Sequence, residues 1–470
     1  MQHDQARLAL DAATRAARYL DPDHPVDGDD GTTRAGAPPA FPSAEALAGL
    51  DQLPAELADE PVDPAAVLAL LDTHGSPATA RTNGGRYFGF VNGGTDPAGL
   101  GAAVLAAAWD QNAALPVMSP VAGHLDAVAA RWITELLGLE GAEAAFCAGA
   151  SVANLTAVCA ARDALLERAG WSVADDGLVG APPLHLVATA EVHVSVLKAL
   201  RVAGLGTAGI VSVPTDGCGR LIATELPPLG PRSLVLTQAG NVNTGHSDPF
   251  EPIIAAAREA GAWVHVDGAF GLWAAAAPER RHLVAGVEGA DSWATDGHKW
   301  LNTPYDCGIA LCARSDDLRR SMATDAAYLA HDGARAAMHL GVQMSQRARG
   351  VETWAVLASR GRRGIADLVE TTCRRATDLA ERLDAAGVEI LAPVVLNQAL
   401  AHLDDDATTD AVLAAVQADG TIWAGGTTWQ GRRAIRLSVS DGATTEADIA
   451  VAADTIVRSW RRVRNERRHA

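Results

Sequence analysis

The sequence is poor in lysine. Lys198 and Lys299 are the only two among 470 residues, and arginine supplies the rest of the positive charge. Long basic runs are absent before the last dozen residues, and the formal net charge is −19. A nucleic acid or an anionic membrane surface would be repelled by such a chain, so we expect neither as a partner. Any lysine chemistry has only two candidates.

The six cysteines form no CxxC pair and no cysteine/histidine cluster with zinc spacing. This pattern predicts free thiols in a reducing compartment and no metal site. No run of about 18 uninterrupted apolar residues occurs, and the first 20 residues are charged and amphipathic, unlike a signal peptide. We therefore expect a cytoplasmic protein without a membrane span.

The composition, with 48% hydrophobic residues, is typical of a large globular enzyme. Helical spacing over residues 5–20, followed by a Pro-, Gly- and Asp-rich stretch, predicts an N-terminal helical arm within residues 1–80. Short apolar runs alternate with helix-length stretches over residues 81–350 and predict a large domain. An Arg-rich helix followed by strand-like runs predicts a small C-terminal α/β domain over residues 351–470.

Six apolar runs end in a polar or glycine-containing turn: AAFCAG, LHLVAT, LVLTQAG, AWVHVD, DSWATD and GIALCA. Continuous apolar runs without alternation are typical of strands that helices cover on both faces. The fold class is therefore α/β, with an open and mostly parallel sheet. Ligands of such sheets bind at the carboxyl ends of the strands, so the residues that end each run are candidate site residues.

Two charged residues at strand ends point to cofactor chemistry. Lys299 follows the run DSWATD, where partial desolvation favours a neutral amine that can attack a carbonyl. The alternative interpretation is that Lys299 lies in a surface loop. Lys198 lies in a stretch with helical spacing, which predicts a side chain that reaches solvent from a helix. Asp267 ends AWVHVD, where its carboxylate would stabilise a protonated pyridine nitrogen of pyridoxal phosphate. Helix capping or metal binding stays open for Asp267.

Five further residues at or near strand ends fit the same cofactor. Ala150 and Ser151 begin a long amphipathic helix, whose free N–H groups and dipole attract a phosphate, although serine is also a common N-cap. His193 follows another strand-to-helix turn, where an imidazole stacks on a flat ring while the small Ala269 packs the other face. A lone histidine is more often solvent-facing or satisfied in the core, and His298 has the same ambiguity.

Taken together, these motifs resemble the group II pyridoxal-phosphate-dependent amino acid decarboxylases, the family of aromatic-L-amino-acid decarboxylase and glutamate decarboxylase. The most specific are HVDGAF and GHKWLN. The supporting motifs, in the family's order, are RYFGFVNGG, SPVAGHLD, AGASVANL, EVHVSVLKA, GHSDPF, YDCG and AAYLAH. They extend from about residue 85 to residue 331.

The resemblance implies the fold-type I architecture of aspartate aminotransferase, an N-terminal segment that wraps a partner subunit, and a homodimer. It makes Lys299 the residue that binds pyridoxal phosphate covalently, Asp267 the partner of the ring nitrogen and His193 the stacking residue. Ala150 and Ser151 match phosphate ligands, and Ala269 and His298 match further site positions. Tyr328, in AAYLAH, resembles the tyrosine of the family's catalytic loop, which returns a proton to the substrate carbon.

One departure from the family pattern concerns the loop around Asn241, where many members have Gly-Thr-Thr; Asn241 is the candidate replacement. The candidate substrate pocket is aromatic, and no clear arginine for an acidic side chain is recognised. Its walls are assigned to Tyr87, Phe88, Phe90, Trp109 and Tyr305.

We therefore predict decarboxylation of an L-amino acid, aromatic or bulky and apolar, to the amine and carbon dioxide. Aldehyde formation or transamination on the same scaffold is the alternative. Plant aldehyde-forming relatives typically have phenylalanine at the loop tyrosine, so Tyr328 favours decarboxylation. A catalytically inactive cofactor-binding protein is a rival of another class.

Overall fold

The computed structural model describes residues 2–20, 38–324 and 335–469. Within these residues the chain forms thirteen α-helices: α1 Gln2–Leu20, α2 Ala44–Ala48, α3 Pro64–Leu70, α4 Pro97–Trp109, α5 Pro120–Leu137, α6 Ala150–Arg168, α7 Val173–Asp176, α8 Val194–Val202, α9 Phe250–Ala260, α10 Ser315–Met322, α11 Arg349–Ala385, α12 Asp406–Asp419 and α13 Glu446–His469. The strands are β1 Glu143–Cys147, β2 His185–Thr189, β3 Val211–Val213, β4 Ser233–Gln238, β5 Trp263–Asp267, β6 Ser292–Asp296, β7 Gly308–Cys312, β8 Glu389–Ile390, β9 Gln398–His402, β10 Gly425–Trp429 and β11 Arg432–Ser438.

Seven strands form the main sheet in the order β1-β7-β6-β5-β4-β2-β3. The pairs β3–β2, β2–β4, β4–β5 and β5–β6 are parallel. The predicted α/β class with a mostly parallel sheet is confirmed, and each of the six apolar runs contains a strand. The short edge strand β3 was not among the predicted runs.

One strand of this sheet runs against the others. β7 pairs antiparallel with both β6 and β1. The connection between β6 and β7, residues 297–307, contains no helix that would carry the chain back across the sheet. Without such a crossover the next strand enters the sheet in the opposite direction. This short connection carries Lys299.

Helices cover both faces of the main sheet. One face packs on α6, α8 and α10 through side chains such as Leu165, Leu200 and Leu318. The other face packs on α5, α9 and α11 through Ile133, Ile253 and Val356, among others. Because both faces are buried, polar side chains of the strands reach solvent only at the strand ends. The fold therefore concentrates accessible chemistry at the sheet edges.

A second core lies in the C-terminal part of the chain. Four antiparallel strands in the order β10-β11-β9-β8 pack on α12, α13 and the second half of α11, which is interrupted by a non-helical residue at Gly361. Phe88 belongs to this core and is fully buried, although the other members of the core begin only at Ala376. Its amide donates to the carbonyl of Trp423 at 2.8 Å, and its carbonyl accepts from Ser438 at 2.9 Å.

The N-terminal helix α1 contacts the segment that follows it. Arg15 forms an ion pair with Asp72 at 3.0 Å, and the Tyr19 hydroxyl lies 2.8 Å from the Thr79 hydroxyl. The division into residues 1–80, 81–350 and 351–470 stays a prediction. Across the described ranges, no helix has the length and apolar character needed to cross a membrane.

Candidate active site

A pocket of about 260 Å³ opens at the carboxyl edge of the main sheet, beyond the ends of β4, β5 and β6. Among the residues that line it are five that the sequence predicted: Phe90, His193, Asp267, Ala269 and Lys299. Arg436, on β11, lines the same pocket. Both the main sheet and the C-terminal sheet therefore contribute to one cavity.

Lys299 is held in the turn after β6. Its Nζ lies 3.1 Å from Oδ2 of Asp296, and its side chain is 19% exposed. The side-chain amide of Asn302 donates to the carbonyl of Lys299 at 3.1 Å and to that of Ser440 at 3.0 Å. A Cβ at Gly93 would stand 1.4 Å from the same Lys299 carbonyl oxygen, so only glycine permits this approach. Gly93, Asn302 and, through Asn302, Ser440 thus hold the backbone of Lys299 in place.

Asp267 is the last residue of β5 and is 6% exposed. Its Oδ1 accepts from the amide of Ala269 at 3.2 Å, and its Oδ2 accepts from the hydroxyl of Ser195 at 3.4 Å. The 3₁₀ turn that follows begins only at Gly271, with Phe270 as its N-cap, so Asp267 caps no helix. Its carboxylate is oriented by two donors and lines the pocket.

His193 is the N-cap of α8. Its Nδ1 accepts from the amide of Ser195 at 3.3 Å and lies 2.8 Å from the Ser195 hydroxyl. Burial lowers the pKa of His193, an effect that the nearby Asp267 carboxylate opposes and the Lys299 amine reinforces. A neutral imidazole with an unprotonated Nδ1 therefore lines the pocket.

The start of α6 is near the Lys299 turn. Its N-cap, Gly149, has φ 143°, and the amide of Ala150 donates to Oδ1 of Asp296 at 2.5 Å. Ser151 is exposed. The first amides of a helix have no partner within the helix, and the dipole favours an anion there. Asp296 already uses one of these donors while its other oxygen binds the Lys299 amine.

His298 is 7% exposed and lies beside Asp296. Its Nδ1 accepts from the amide of Cys307 at 3.1 Å, and its Nε2 is 3.7 Å from Oδ2 of Asp296. The ring stacks on Tyr305 with 4.4 Å between centroids. Burial is the main cause that lowers the pKa of His298. The neutral ring therefore carries its proton on Nε2, on the side of Asp296.

The predicted aromatic wall is not gathered into one surface. Phe90 lines the pocket and is 63% exposed, and Tyr305 is 57% exposed with its hydroxyl donating to Asn92 at 2.8 Å. Trp109 ends α4 and is 40% exposed, whereas Phe88 lies in the C-terminal core. Tyr87 stacks on Trp423 with 4.8 Å between centroids. Of this set, only Phe90 lines the pocket.

Asn241, a further predicted residue, is not among the residues that line the pocket. Asn241 is buried in the loop after β4, where its Oδ1 accepts from the amides of Asn243 and Thr244 and its Nδ2 has no partner. Tyr328 lies outside the described residues. A larger cavity of about 350 Å³, lined by His246 and His282 among others, contains none of the predicted site residues.

Arg436 was missed by the sequence reasoning. Among the described residues, its one hydrogen bond runs from Nη1 to the carbonyl of Val242 at 3.4 Å, and its buried Nε has no partner there. Burial lowers the pKa of this guanidinium. A signal existed, because Arg436 is the one charged residue in the otherwise uncharged run AIRLSVS. Asp296 was recognised as a strand end, but its pairing with Lys299 was not predicted.

These groups fit pyridoxal phosphate, which has an aldehyde, a basic ring nitrogen and a phosphate. Lys299 offers an amine, Asp267 offers a carboxylate with two donors behind it, and α6 offers a helix N-terminus. The site and fold together define a pyridoxal-phosphate enzyme with an aspartate-aminotransferase-like large domain.

Comparisons with known proteins agree with this class. The family model described as the pyridoxal-dependent decarboxylase conserved domain matches residues 52–397. L-tyrosine/L-DOPA decarboxylase 2 of Lophophora williamsii is 26% identical over 64% of this chain and 61% of that protein. Phenylacetaldehyde synthase of Petunia hybrida is 27% identical over 59% of this chain and 58% of that protein. The chain thus matches somewhat less than two thirds of the length of these relatives.

Among solved structures, Oryza sativa TDC with PLP and tryptamine superimposes with a TM-score of 0.86, covering 98% of each chain at 21% identity. This likeness concerns the fold. The family model covers most of the chain, so the protein belongs to the pyridoxal-dependent decarboxylase family. Pyridoxal phosphate is accordingly its cofactor.

Proposed function

We propose that this protein decarboxylates an L-amino acid and releases carbon dioxide and the corresponding amine. The placement of the Lys299 amine and the Asp267 carboxylate on one pocket carries the proposal. Family membership and the similarity to a tyrosine/DOPA decarboxylase support it.

Bound pyridoxal phosphate supplies an electron sink for the pair of electrons left when the carboxylate departs. Lys299 binds it through Nζ, and the turn that fixes the lysine backbone sets the position of that atom. Asp267 holds a proton at the ring nitrogen, because its anionic carboxylate is buried and oriented. His193 covers one face of the ring, excludes water there, and leaves the other face to Ala269.

The phosphate end is assigned to the start of α6. The amide and hydroxyl of Ser151 are proposed as donors there, because unpaired helix amides bind anions. Ala150 is proposed beside it from the family resemblance, and its own amide donates to Asp296. His298 contributes Nε2–H on the same side, since its Nδ1 is already an acceptor. Asn241 is proposed to shape the neighbouring loop through its two backbone contacts.

Arg436 is proposed to bind the substrate carboxylate. Within the described part of the chain the buried Nε–H of Arg436 has no partner, which is costly, and an anion that brings paired oxygens would satisfy it. No other arginine is among the residues that line this pocket. The carboxylate would then be oriented from the side of the C-terminal sheet, opposite the main-sheet residues.

The substrate side chain is proposed to be aromatic or bulky and apolar. Phe90 lines the pocket, and its ring stacks on Trp423 with 5.3 Å between centroids. Tyr305 and Trp109 present exposed aromatic surface, although neither is among the residues that line the pocket.

Tyr328 is proposed as the acid that protonates the substrate carbon after carbon dioxide leaves. This role rests on the resemblance of AAYLAH to the family's catalytic loop. The Petunia relative is a phenylacetaldehyde synthase, so aldehyde formation is the competing activity, with transamination as a further alternative.

Product analysis tests the proposal. The purified protein, loaded with pyridoxal phosphate, is incubated with each of the common amino acids, and amine, aldehyde, keto acid and carbon dioxide are quantified by mass spectrometry. We expect carbon dioxide and amine in equal amounts from an aromatic or bulky apolar amino acid. Aldehyde as the main product would move the assignment to the aldehyde synthases, and a keto acid without carbon dioxide would indicate an aminotransferase. Bound cofactor without turnover would indicate the inactive protein.

The protein is further proposed to act as a homodimer in the cytoplasm. The helix α4 and the following loop expose Val104, Leu105, Trp109, Val117 and Met118, an apolar surface that a second subunit would cover. All six cysteines are unpaired, which suits a reducing compartment. Sedimentation analysis at twice the 48.6 kDa chain mass would support the dimer, and a single-chain mass would refute it.

A further inference from the structure

A continuous chain of buried hydrogen bonds lies behind Asp267, on the face of β5 that packs against α6 and α8. The indole of Trp263 donates to the Ser292 hydroxyl at 2.9 Å, and this hydroxyl lies 2.9 Å from Nδ1 of His265. Nε2 of His265 is 2.9 Å from Oδ1 of Asn154, whose Nδ2 donates to the Ser195 hydroxyl at 3.3 Å. The first four side chains belong to residues that are fully buried, and Ser195 is 7% exposed.

The direction of the protons follows from Trp263. An indole N–H only donates, so the Ser292 oxygen accepts and its single proton is available for Nδ1 of His265. The proton of neutral His265 is then on Nε2 and goes to Oδ1 of Asn154, which leaves Nδ2 to donate to Ser195. Burial lowers the pKa of His265 to about 4, so the ring is neutral near pH 7. Every donor in the chain points toward the pocket.

The chain ends on two residues of the pocket. The one hydroxyl proton of Ser195 has two acceptors, Nδ1 of His193 at 2.8 Å and Oδ2 of Asp267 at 3.4 Å. Because Asn154 donates to the Ser195 oxygen, this proton is not needed for Asn154 and is free to serve either acceptor. Ser195 thereby ties the imidazole to the carboxylate.

We propose that Ser195, Asn154 and His265 are positioning residues that orient the Asp267 carboxylate and the His193 ring toward the cofactor. The inference rests on the proposed function, in which Asp267 meets the ring nitrogen and His193 covers the ring. A neutral relay suits this task, because it supplies donors to the carboxylate without adding a cation that would compete with the protonated ring. His265 and Asn154 are not among the residues that line the pocket, and their hydrogen bonds reach Asp267 and His193 through Ser195.

The test compares three variants. Ser195→Ala removes the bridging hydroxyl, and Ser195→Thr keeps a hydroxyl at the same position. Thr237→Val is the matched control, because Thr237 is 4% exposed and donates to the backbone carbonyl of His265 at 3.0 Å, outside the side-chain relay. Cofactor affinity, visible circular dichroism of the bound cofactor and unfolding of the cofactor-free protein are measured for each.

We expect Ser195→Ala to weaken cofactor binding about tenfold or more and to change the dichroism, since a hydrogen bond to a charged group is lost. Ser195→Thr should restore both, and Thr237→Val should lower stability while leaving cofactor affinity and dichroism unchanged. Unchanged affinity and dichroism in Ser195→Ala would overturn the proposal, as would an equal loss of affinity in Thr237→Val.

A second measurement needs no cofactor. In cofactor-free protein labelled with ¹⁵N-histidine, we expect long-range ¹H–¹⁵N spectra at pH 7 to show His265 neutral with its proton on Nε2, identified by loss of that signal in His265→Gln. A proton on Nδ1, or a charged ring, would overturn the relay. Failure of the unmutated protein to bind pyridoxal phosphate would instead refute the proposed function, so the two failures are distinguishable.

Discussion

Replacement of Arg436 by methionine should separate substrate binding from catalysis. The guanidinium is buried, its Nε lacks a partner, and it lines the pocket opposite Asp267 and Lys299. If it binds the substrate carboxylate, its contribution is strongest before the reaction, because the carboxylate loses its charge as carbon dioxide forms. Interactions that are stronger in the ground state than in the transition state lower KM and also lower kcat, so their removal raises KM without lowering kcat.

The magnitude follows from the lost contact. A hydrogen bond between charged groups contributes about 1.5–3 kcal/mol, which corresponds to about a 10- to 150-fold rise in KM. The rate constant kcat should not fall, and it should rise to the extent that the contact is weaker in the transition state. The substrate-free protein should become more stable by about 1 kcal/mol or more, because methionine removes a buried donor that has no partner.

Steady-state kinetics and chemical unfolding measure the two effects. Arg432→Met is the control, since Arg432 is on the same strand but pairs with Glu389 at the surface. Inhibition by the product amine, which lacks the carboxylate, should be the same in Arg436→Met and the unmutated enzyme. An unchanged KM, or a fall in kcat with KM constant, would refute the assignment of Arg436 to the substrate carboxylate.

Three further outcomes are expected. Borohydride reduction and peptide mapping should place the pyridoxyl group on Lys299, and its recovery on Lys198 would refute the site. Asp267→Asn should retain the cofactor but lose about two to four orders of magnitude in kcat, because an amide cannot balance the ring charge; near-normal turnover would show that Asp267 is not the partner of the ring nitrogen. Tyr328→Phe should release carbon dioxide with less amine and more aldehyde in the presence of oxygen, measured together in one reaction, whereas an unchanged amine yield would identify another proton donor.

The sequence predicted those parts of the site that depend on single strands. Asp267 and Asp296 end uninterrupted apolar runs, and a buried strand places its terminal residue at the sheet edge whatever the rest of the chain does. The same rule placed Lys299 and His193 in the turns that follow two strands. The strand runs themselves were recognisable because helices cover both faces of the main sheet.

The parts that escaped prediction depend on contacts between distant segments. Arg436 reaches the pocket from a second sheet, and an arginine in a strand-like run carries no local sign of which cavity it enters. Phe88 was assigned to the substrate wall from its aromatic neighbours, yet it packs in a core whose other members begin only at Ala376. The reversal of β7 depended on the absence of a crossover helix, which a list of apolar runs does not reveal.

The residues that hold the Lys299 turn come from distant parts of the polypeptide, so the ribosome synthesises them at different times. Gly93, which approaches Lys299, lies shortly after Phe88, whose hydrogen-bond partners Trp423 and Ser438 are translated late. The side chain of Asn302 donates to the carbonyl of Ser440, which is translated later still. A nascent chain that has completed the seven-stranded sheet already contains Gly93 and Asn302, but it lacks the Ser440 carbonyl that accepts from the Asn302 amide. The Lys299 turn therefore acquires its last support only after the strands of the second sheet have been translated.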